Sequence, residues 1–153
     1  MDVFIWIATL GGIGYLPLSG FIAMILGILW MYYLSQKTQY WSWILVAQIL
    51  LGIIFISLTP SQGAFDPSVF VLDEFVAAGI LMFASKKLFP LLLGLTVYGI
   101  LDLTKPLARY IENLPVGFGI VGDDIVSAIL ATLFIILIKH LILHYKTSIK
   151  TDK

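Results

Sequence analysis

The stretch from Trp41 to Leu58, WSWILVAQILLGIIFISL, contains no charged side chain and decides the class of fold. A helix that crosses the hydrocarbon core of a bilayer needs roughly 20 predominantly apolar residues. Phe21–Leu34 and Ile125–Leu143 have the same character, and Lys139 is the only Asp, Glu, Lys or Arg within them. These three segments predict helices that span a membrane.

The composition of the whole chain agrees with this prediction. Of the 153 residues, 60% are hydrophobic and 12% are charged, and a typical soluble domain has about twice that charged fraction. The net charge is zero, so no basic field is available for nucleic acid. There is no cysteine, which excludes disulfides, thiolate metal sites and a cysteine nucleophile. No basic residue precedes the first apolar run, so a cleaved signal peptide is not expected.

Weaker apolar segments complete the pattern. Val69–Ala84 contains two adjacent carboxylates, Leu88–Leu101 contains Pro90, and Val3–Leu10 is long enough only for a half-helix. Backbone at membrane depth must satisfy its own hydrogen bonds, so helices are expected and strands are not. The sequence therefore predicts an all-α, polytopic membrane bundle with short, tilted or partly embedded helices, forming a single domain over residues 1–153.

The polar residues concentrate in three connections between these segments. If the five longer segments all cross the membrane, Leu10–Gly20, Thr59–Ser68 and Asp102–Asp124 emerge on the same side. These connections contain or adjoin nearly every unusual polar residue. We therefore expect one polar site at one membrane face.

Carboxylates are the most informative of these residues. Those that adjoin the apolar segments are Asp66, Asp73, Glu74, Asp102, Asp123 and Asp124. Asp73 and Glu74 lie inside an apolar run, which is costly unless they are paired, hydrated or bound to a metal. Asp123 and Asp124 are expected to open the last span, where they could simply cap a helix and complement its dipole. Asp66 could likewise be only part of a turn.

Two basic residues follow one of these carboxylates. Lys105 and Arg109 stand three and seven residues after Asp102, which places all three on about one helix face. Both could instead be ordinary anchors that obey the positive-inside rule. His140 and His144 share a helix face at the far end of the last span, where interfacial anchoring is the favoured interpretation over metal binding.

A glycine-rich loop precedes the first long span. Gly11, Gly12 and Gly14 belong to it, and such a loop can present backbone N–H groups to a phosphate. Carboxylates that hold Mg²⁺, basic side chains and glycine loops together suit phosphoryl chemistry. A transporter that uses its intramembrane carboxylates is an alternative of another class, although no inverted repeat is visible.

The ordered motifs resemble the phosphatidylglycerophosphatase A family. The similarity begins with residues 8–17, ATLGGIGYLP, and continues with Asp66-Pro67-Ser68 and with residues 71–75, VLDEF. It ends with residues 100–106, ILDLTKP, and residues 117–126, GFGIVGDDIV. It therefore covers most of the chain.

The resemblance implies a Mg²⁺-dependent phosphatase of a bacterial inner membrane, which converts phosphatidylglycerophosphate into phosphatidylglycerol. Its partner is the phospholipid substrate, and no obligatory protein partner is inferred. The residues that match the acidic motifs by position are Asp73, Glu74, Asp102, Asp123 and Asp124, and those that match the basic positions are Lys105 and Arg109.

A mechanistic hypothesis goes beyond this match. We expect one or two Mg²⁺ ions to be held by Glu74, Asp102, Asp123 and Asp124, with Asp73 close by. The phosphate is expected to contact Lys105, Arg109 and the N–H groups of Gly11, Gly12 and Gly14. Water is expected to attack phosphorus directly, without a covalent enzyme intermediate.

Several positions depart from the family pattern. Gly99 stands where arginine is common, and Ser19-Gly20-Phe21 replaces a proline-glycine-threonine sequence. Ala77 and Val116 each stand where a glycine is usual. Because Gly99 changes the pocket, phosphatidate or another lipid phosphate is an alternative substrate.

The orientation in the membrane rests on two conflicting indications. The resemblance implies that the active face is cytoplasmic. In a five-span arrangement the opposite face carries the lysines, Lys86, Lys87, Lys146, Lys150 and Lys153, and the positive-inside rule would place that face in the cytoplasm. We expect the cytoplasmic active face.

Overall fold

The computed structural model describes residues 2–59, 68–104 and 114–151, with side chains up to residue 145. Helices and turns account for its regular structure, and no strand occurs within these ranges. The α-helices, in chain order, are α1 Val3–Ala8, α2 Ser19–Lys37, α3 Trp41–Leu58, α4 Leu72–Ala78, α5 Leu88–Thr104 and α6 Val116–Thr151. Short 3₁₀ helices lie at Ile13–Tyr15 and Gly79–Phe83. The predicted all-α class is confirmed.

Three of the described helices are long and apolar enough to cross a membrane: α2, α3 and the part of α6 from Val116 to Tyr145. α5 is apolar but shorter, with 17 residues. Large apolar side chains stay exposed along these helices, among them Leu50 and Leu137, each 55% exposed. Water would penalise an apolar surface of this extent, whereas lipid tails solvate it. The chain is therefore a membrane protein.

The segment Val69–Ala84, one of the weaker apolar segments of the sequence, lies in the interior of the helix bundle. It forms α4, followed directly by the 3₁₀ helix Gly79–Phe83, and α4 packs against α2, α3 and α6. Val76 and Ala77 are buried. Gly27 of α2 permits the closest approach, because a Cβ on it would collide with the carbonyl oxygen of Phe75. Small residues at helix contacts allow such close packing in membranes.

The last helix begins earlier than predicted. α6 starts at Val116 instead of Ile125, because Gly117 packs without a Cβ against the Ser57 side chain and the Ile53 carbonyl of α3. The Gly117-Phe118-Gly119 stretch is therefore helical and does not form a loop. No acidic residue lies in the first turn of α6.

The observed bounds of α5 and α6 change the setting of three carboxylates. Asp123 and Asp124 lie in the third turn of α6, so the interpretation that they cap the helix is wrong. Asp102 lies in the last turn of α5 and not in a connection. All three therefore stand on rigid helices.

The helices bring Glu74, Asp102 and Asp124 to one end of the bundle, here called the acidic end. The start of α2 lies there, since a Cβ on Gly20 would come within 2.6 Å of Glu74 Oε1. At the opposite end, the Trp41 and Phe83 rings lie 4.9 Å apart and Lys86 Nζ lies 5.4 Å from the Trp41 ring centroid. The carboxylates and the Lys86 amine therefore occupy opposite ends.

Candidate metal centre

Three carboxylates from two helices converge at the acidic end. Asp73 and Glu74 occupy the first turn of α4, and Asp124 lies in the third turn of α6. Each offers one oxygen atom, and these oxygens lie within 4.8 Å of one another. Carboxylate oxygens are the ligands that Mg²⁺ and Ca²⁺ prefer in proteins. The three side chains could therefore hold one divalent cation.

The burial of this group supports a cation. Asp73 and Asp124 are only 4% and 3% exposed. Glu74 Oε2 and Asp124 Oδ2 are buried and have no hydrogen-bond partner among the described residues. Buried polar atoms in proteins are nearly always satisfied, because leaving them without a partner is costly. A coordinated cation would satisfy both oxygens, so the residues present fit a metal.

The electrostatics of Glu74 lead to the same conclusion. Burial is the main cause that raises its pKa to about 11, and the neighbouring Asp73 carboxylate is the next. Asp102 acts in the same direction. The carboxylates of Asp73 and Asp102 thus both disfavour the charged form of Glu74. Like charges this close cannot all ionise without a counter-charge, and a divalent cation supplies one.

Glycines hold α4 in the place where its carboxylates can meet Asp124. A Cβ on Gly14 would collide with the carbonyl oxygen of Val69, so the glycine loop packs directly on the segment that leads into α4. The N–H of Val71 donates to the carbonyl oxygen of Ala8 at 3.0 Å. The loop therefore fixes the backbone immediately before Asp73.

The two remaining acidic motif residues differ in position. Asp102 acts electrostatically on Glu74, and its side chain approaches that of Asp124 closely enough for a hydrogen bond. Asp102 therefore borders the group formed by Asp73, Glu74 and Asp124, here called the three-carboxylate group. Asp123 is buried at 7% exposure but does not belong to that group. Adjacent residues of a helix point in different directions, so α6 directs Asp124 to the group and Asp123 elsewhere.

A cleft gives access to the carboxylates. It has a volume of about 610 Å³ and lies between α2 and α5, with both Glu74 and Asp102 in its wall. Apolar side chains such as Phe21 and Leu103 form much of the remaining lining. A Cβ placed on Gly99 would have no described atom within 4 Å, so this wall is open. The cleft thus leads from the buried carboxylates to the apolar surface of α2 and α5.

The comparison with protein families gives the family of this chain. The family model described as PgpA, phosphatidylglycerophosphatase A, matches residues 6–139. The chain belongs to the phosphatidylglycerophosphatase A family. A search of curated proteins and a search of solved structures each found no significant match. The family is one of lipid phosphatases, so this chain is an enzyme with a lipid substrate, and the transporter alternative is set aside.

The glycine loop of this chain has its N–H groups engaged internally. The N–H of Gly11 donates to the Trp6 carbonyl at 2.8 Å, and those of Gly12 and Gly14 donate to the Thr9 carbonyl at 3.2 and 3.0 Å. Gly11 and Gly12 adopt positive φ angles of 70° and 99°, which favour glycine. These N–H groups could contact a phosphate only by giving up their internal hydrogen bonds. Their role in substrate binding stays a prediction.

Some predicted site residues lie outside the described residues, namely Asp66, Lys105 and Arg109. Their roles stay predictions. His140 and His144 are described, and they lie about 24 and 30 Å along α6 beyond Asp124, at about 1.5 Å per residue. That separation excludes both histidines as ligands of the three-carboxylate group.

Tyr98 is a member of the site that the sequence prediction missed. It is fully buried in α5, and its hydroxyl has no hydrogen-bond partner among the described residues. Besides burial, the carboxylates of Asp124, Asp102, Glu74 and Asp73 act electrostatically on it. Tyr98 stands four residues before Asp102, which places both on one helix face. That spacing is the signal that could have revealed it.

Proposed function

We propose that this enzyme hydrolyses the terminal phosphate monoester of phosphatidylglycerophosphate, giving phosphatidylglycerol and phosphate, with Mg²⁺ as its cofactor. The observation that carries the proposal is the convergence of Asp73, Glu74 and Asp124, with buried oxygens that a cation would satisfy. The adjoining cleft lies between two apolar helices, which suits a substrate that reaches the site from the bilayer.

The roles of the residues follow from their positions. Asp73, Glu74 and Asp124 would hold the ion, and Asp102 lies in the wall of the cleft beside them. When bound, Mg²⁺ neutralises charge on the phosphate and promotes the ionisation of water. The ligand role predicted for Asp123 is not part of this proposal, and Lys105 and Arg109 keep the phosphate-binding roles of the mechanistic hypothesis.

The reaction proceeds by direct attack of water. The water oxygen forms a bond to phosphorus as the phosphorus–oxygen bond to glycerol breaks, and the departing glycerol oxygen gains a proton. No enzyme side chain forms a bond to phosphorus. Recovery of an aspartyl-phosphate after rapid acid quenching with labelled substrate would exclude this route.

The experiment that tests the function is phosphate release from phosphatidylglycerophosphate by the detergent-purified enzyme. We expect EDTA to lower the rate by about 10²-fold or more, because a metal contributes several kcal/mol to such a reaction, and excess Mg²⁺ to restore it. Phosphatidate at the same concentration is the comparison substrate. A folded enzyme that releases no phosphate in the presence of Mg²⁺ would contradict the proposal.

One observation favours a second candidate substrate. Gly99 leaves open space in the wall of the cleft at a position where the family often has arginine. An enzyme without that guanidinium has one fewer donor for the phosphoglycerol headgroup. A kcat/KM for phosphatidate above that for phosphatidylglycerophosphate would establish phosphatidate as the preferred substrate.

For the cellular setting, we propose the inner membrane of a bacterium, with the acidic end facing the cytoplasm. The support is the resemblance, since the family's substrate is made on that side. Lys86 lies at the opposite end, and the positive-inside rule favours the reverse orientation. An impermeant thiol reagent should label a Leu16→Cys chain in lysed cells only, and labelling in intact cells would reverse the orientation.

A separate prediction concerns the buried Tyr98 hydroxyl, which we propose donates a hydrogen bond to one of the carboxylates once the metal is bound. Tyr98→Phe is expected to lower phosphate release about 10-fold, a loss of roughly 1.4 kcal/mol, and to weaken the apparent Mg²⁺ affinity. Its thermal stability should stay equal or rise, because the hydroxyl lacks a partner among the described residues. A variant with unchanged rate and unchanged Mg²⁺ dependence would show that the hydroxyl has no such role.

A further inference from the structure

A second cavity extends away from the acidic end along the same two helices. It has a volume of about 410 Å³ and is lined mainly by Ile25, Ile28 and Leu29 of α2 and by Leu91, Leu92 and Leu95 of α5. This surface is here called the α2–α5 groove. Tyr32 and Lys86 lie at its far end.

The groove adjoins the cleft beside Glu74 and Asp102. Leu95 lines both cavities, and Met24 of the cleft directly precedes Ile25 of the groove. From Leu18 to Tyr32 the path along α2 covers 14 residues, or about 21 Å at 1.5 Å per residue. The hydrocarbon core of one leaflet is roughly 15 Å deep. The two cavities together are therefore longer than the hydrocarbon core of one leaflet is deep.

The lining of the groove has a buried floor and open walls. Ile28, Leu91 and Leu95 are 8%, 6% and 3% exposed, whereas Leu29 and Leu92 are 58% and 52% exposed. The groove is thus concave and apolar, and it opens sideways to the surrounding lipid. Its far end carries Lys86, whose amine lies 5.4 Å from the Trp41 ring centroid, so the apolar lining stops at a polar boundary.

We propose that the α2–α5 groove binds one acyl chain of the lipid phosphate whose headgroup occupies the cleft beside Glu74 and Asp102. This inference rests on the proposed function. A headgroup in the cleft must leave its chains on an apolar path, and the groove is an apolar cavity that adjoins the cleft. The groove then selects for the diacyl lipid, because a water-soluble phosphate ester has no chain to place there.

The chain contains no cysteine, which permits a binding test that does not depend on catalysis. A Leu92→Cys enzyme is labelled with bimane and placed in nanodiscs that contain Mg²⁺ and a few mole per cent of a phosphonate analogue of phosphatidylglycerophosphate, brominated in one acyl chain. The matched control is Leu50→Cys on α3, which is 55% exposed against 52% for Leu92. We expect at least twofold stronger quenching at Leu92, and equal quenching at the two positions would overturn the proposal.

A kinetic test separates the groove from the catalytic function. Leu92→Trp should raise KM about 10-fold for a dioleoyl substrate and leave it unchanged for a dihexanoyl one, whereas Leu50→Trp should change neither. Equal KM changes for both substrates would contradict the groove, while hydrolysis itself would stand. If the unmodified enzyme hydrolyses no lipid phosphate, the proposed function is wrong, and preferential quenching at Leu92 would still establish the chain-binding site.

Discussion

Asp124→Asn should lower Mg²⁺-dependent phosphate release by about 10²- to 10³-fold, since a metal ligand is worth several kcal/mol of transition-state stabilisation. Asp124 is one of three carboxylates whose oxygens lie within 4.8 Å of one another. Asparagine keeps the size of the side chain but removes its negative charge. Retention of more than a tenth of the activity would show that Asp124 is not required to hold the ion.

The same substitution has a second effect that does not depend on catalysis. Without metal, the variant should be at least as stable as the natural chain, because it relieves repulsion among buried carboxylates. With Mg²⁺, the thermal unfolding midpoint of the natural chain should rise more than that of the variant, because a ligand stabilises the state that binds it. Equal rises in both proteins would place the Mg²⁺ site elsewhere.

The matched control is Asp2→Asn. Asp2 caps α1 by accepting a hydrogen bond from the Phe4 N–H at 2.9 Å, and it lies on the exposed surface. Asparagine is as good an N-cap as aspartate. The control therefore removes one negative charge by the same chemical change and should alter neither phosphate release nor the response to Mg²⁺.

Gly27→Ala should destabilise the enzyme by about 1–3 kcal/mol, the usual cost of overpacking. The added methyl group would collide with the carbonyl oxygen of Phe75, and a backbone atom cannot move aside as a side chain can. α2 and α4 would then separate, and the separation would displace Glu74, which precedes Phe75. We expect a lower unfolding midpoint in detergent together with reduced phosphate release.

The control for this prediction is Gly99→Ala. A Cβ there would have no described atom within 4 Å, and alanine is favoured over glycine in a helix by about 1 kcal/mol. The control should therefore be neutral or slightly stabilising. If Gly27→Ala unfolds at the same temperature as Gly99→Ala, the close contact of α2 with α4 does not limit stability.

The accuracy with which each helix could be predicted depended on the length of its uncharged sequence. α3 matches the predicted span Trp41–Leu58. An uncharged segment of 18 residues in a bilayer satisfies its backbone hydrogen bonds by forming a helix. The start of α6 could not be predicted, because the glycines from Gly117 onward have the composition of a loop. Their helical state depends on α3, against which Gly117 packs. Glycine thus marks a turn in one context and a close helix contact in another.

The site was predictable in its residue types but not in its geometry. Asp73 and Glu74 stood out because carboxylates in an apolar run need a partner. Asp73 was expected only close to the ion, whereas the structure includes it in the three-carboxylate group. Which of Asp123 and Asp124 joins them depends on the rotation of α6 about its axis, and no local pattern fixes that rotation.

By itself, the sequence determined that this chain forms apolar helices in a membrane and that its carboxylates need a counter-charge. Both follow from the cost of transferring side chains and backbone into lipid, which depends on local composition. Only the tertiary structure decided that α4 lies inside the bundle, that Asp124 meets Asp73 and Glu74, and that Tyr98 is buried near them. Those contacts join residues far apart in the chain, and they depend on how closely glycines allow the helices to approach.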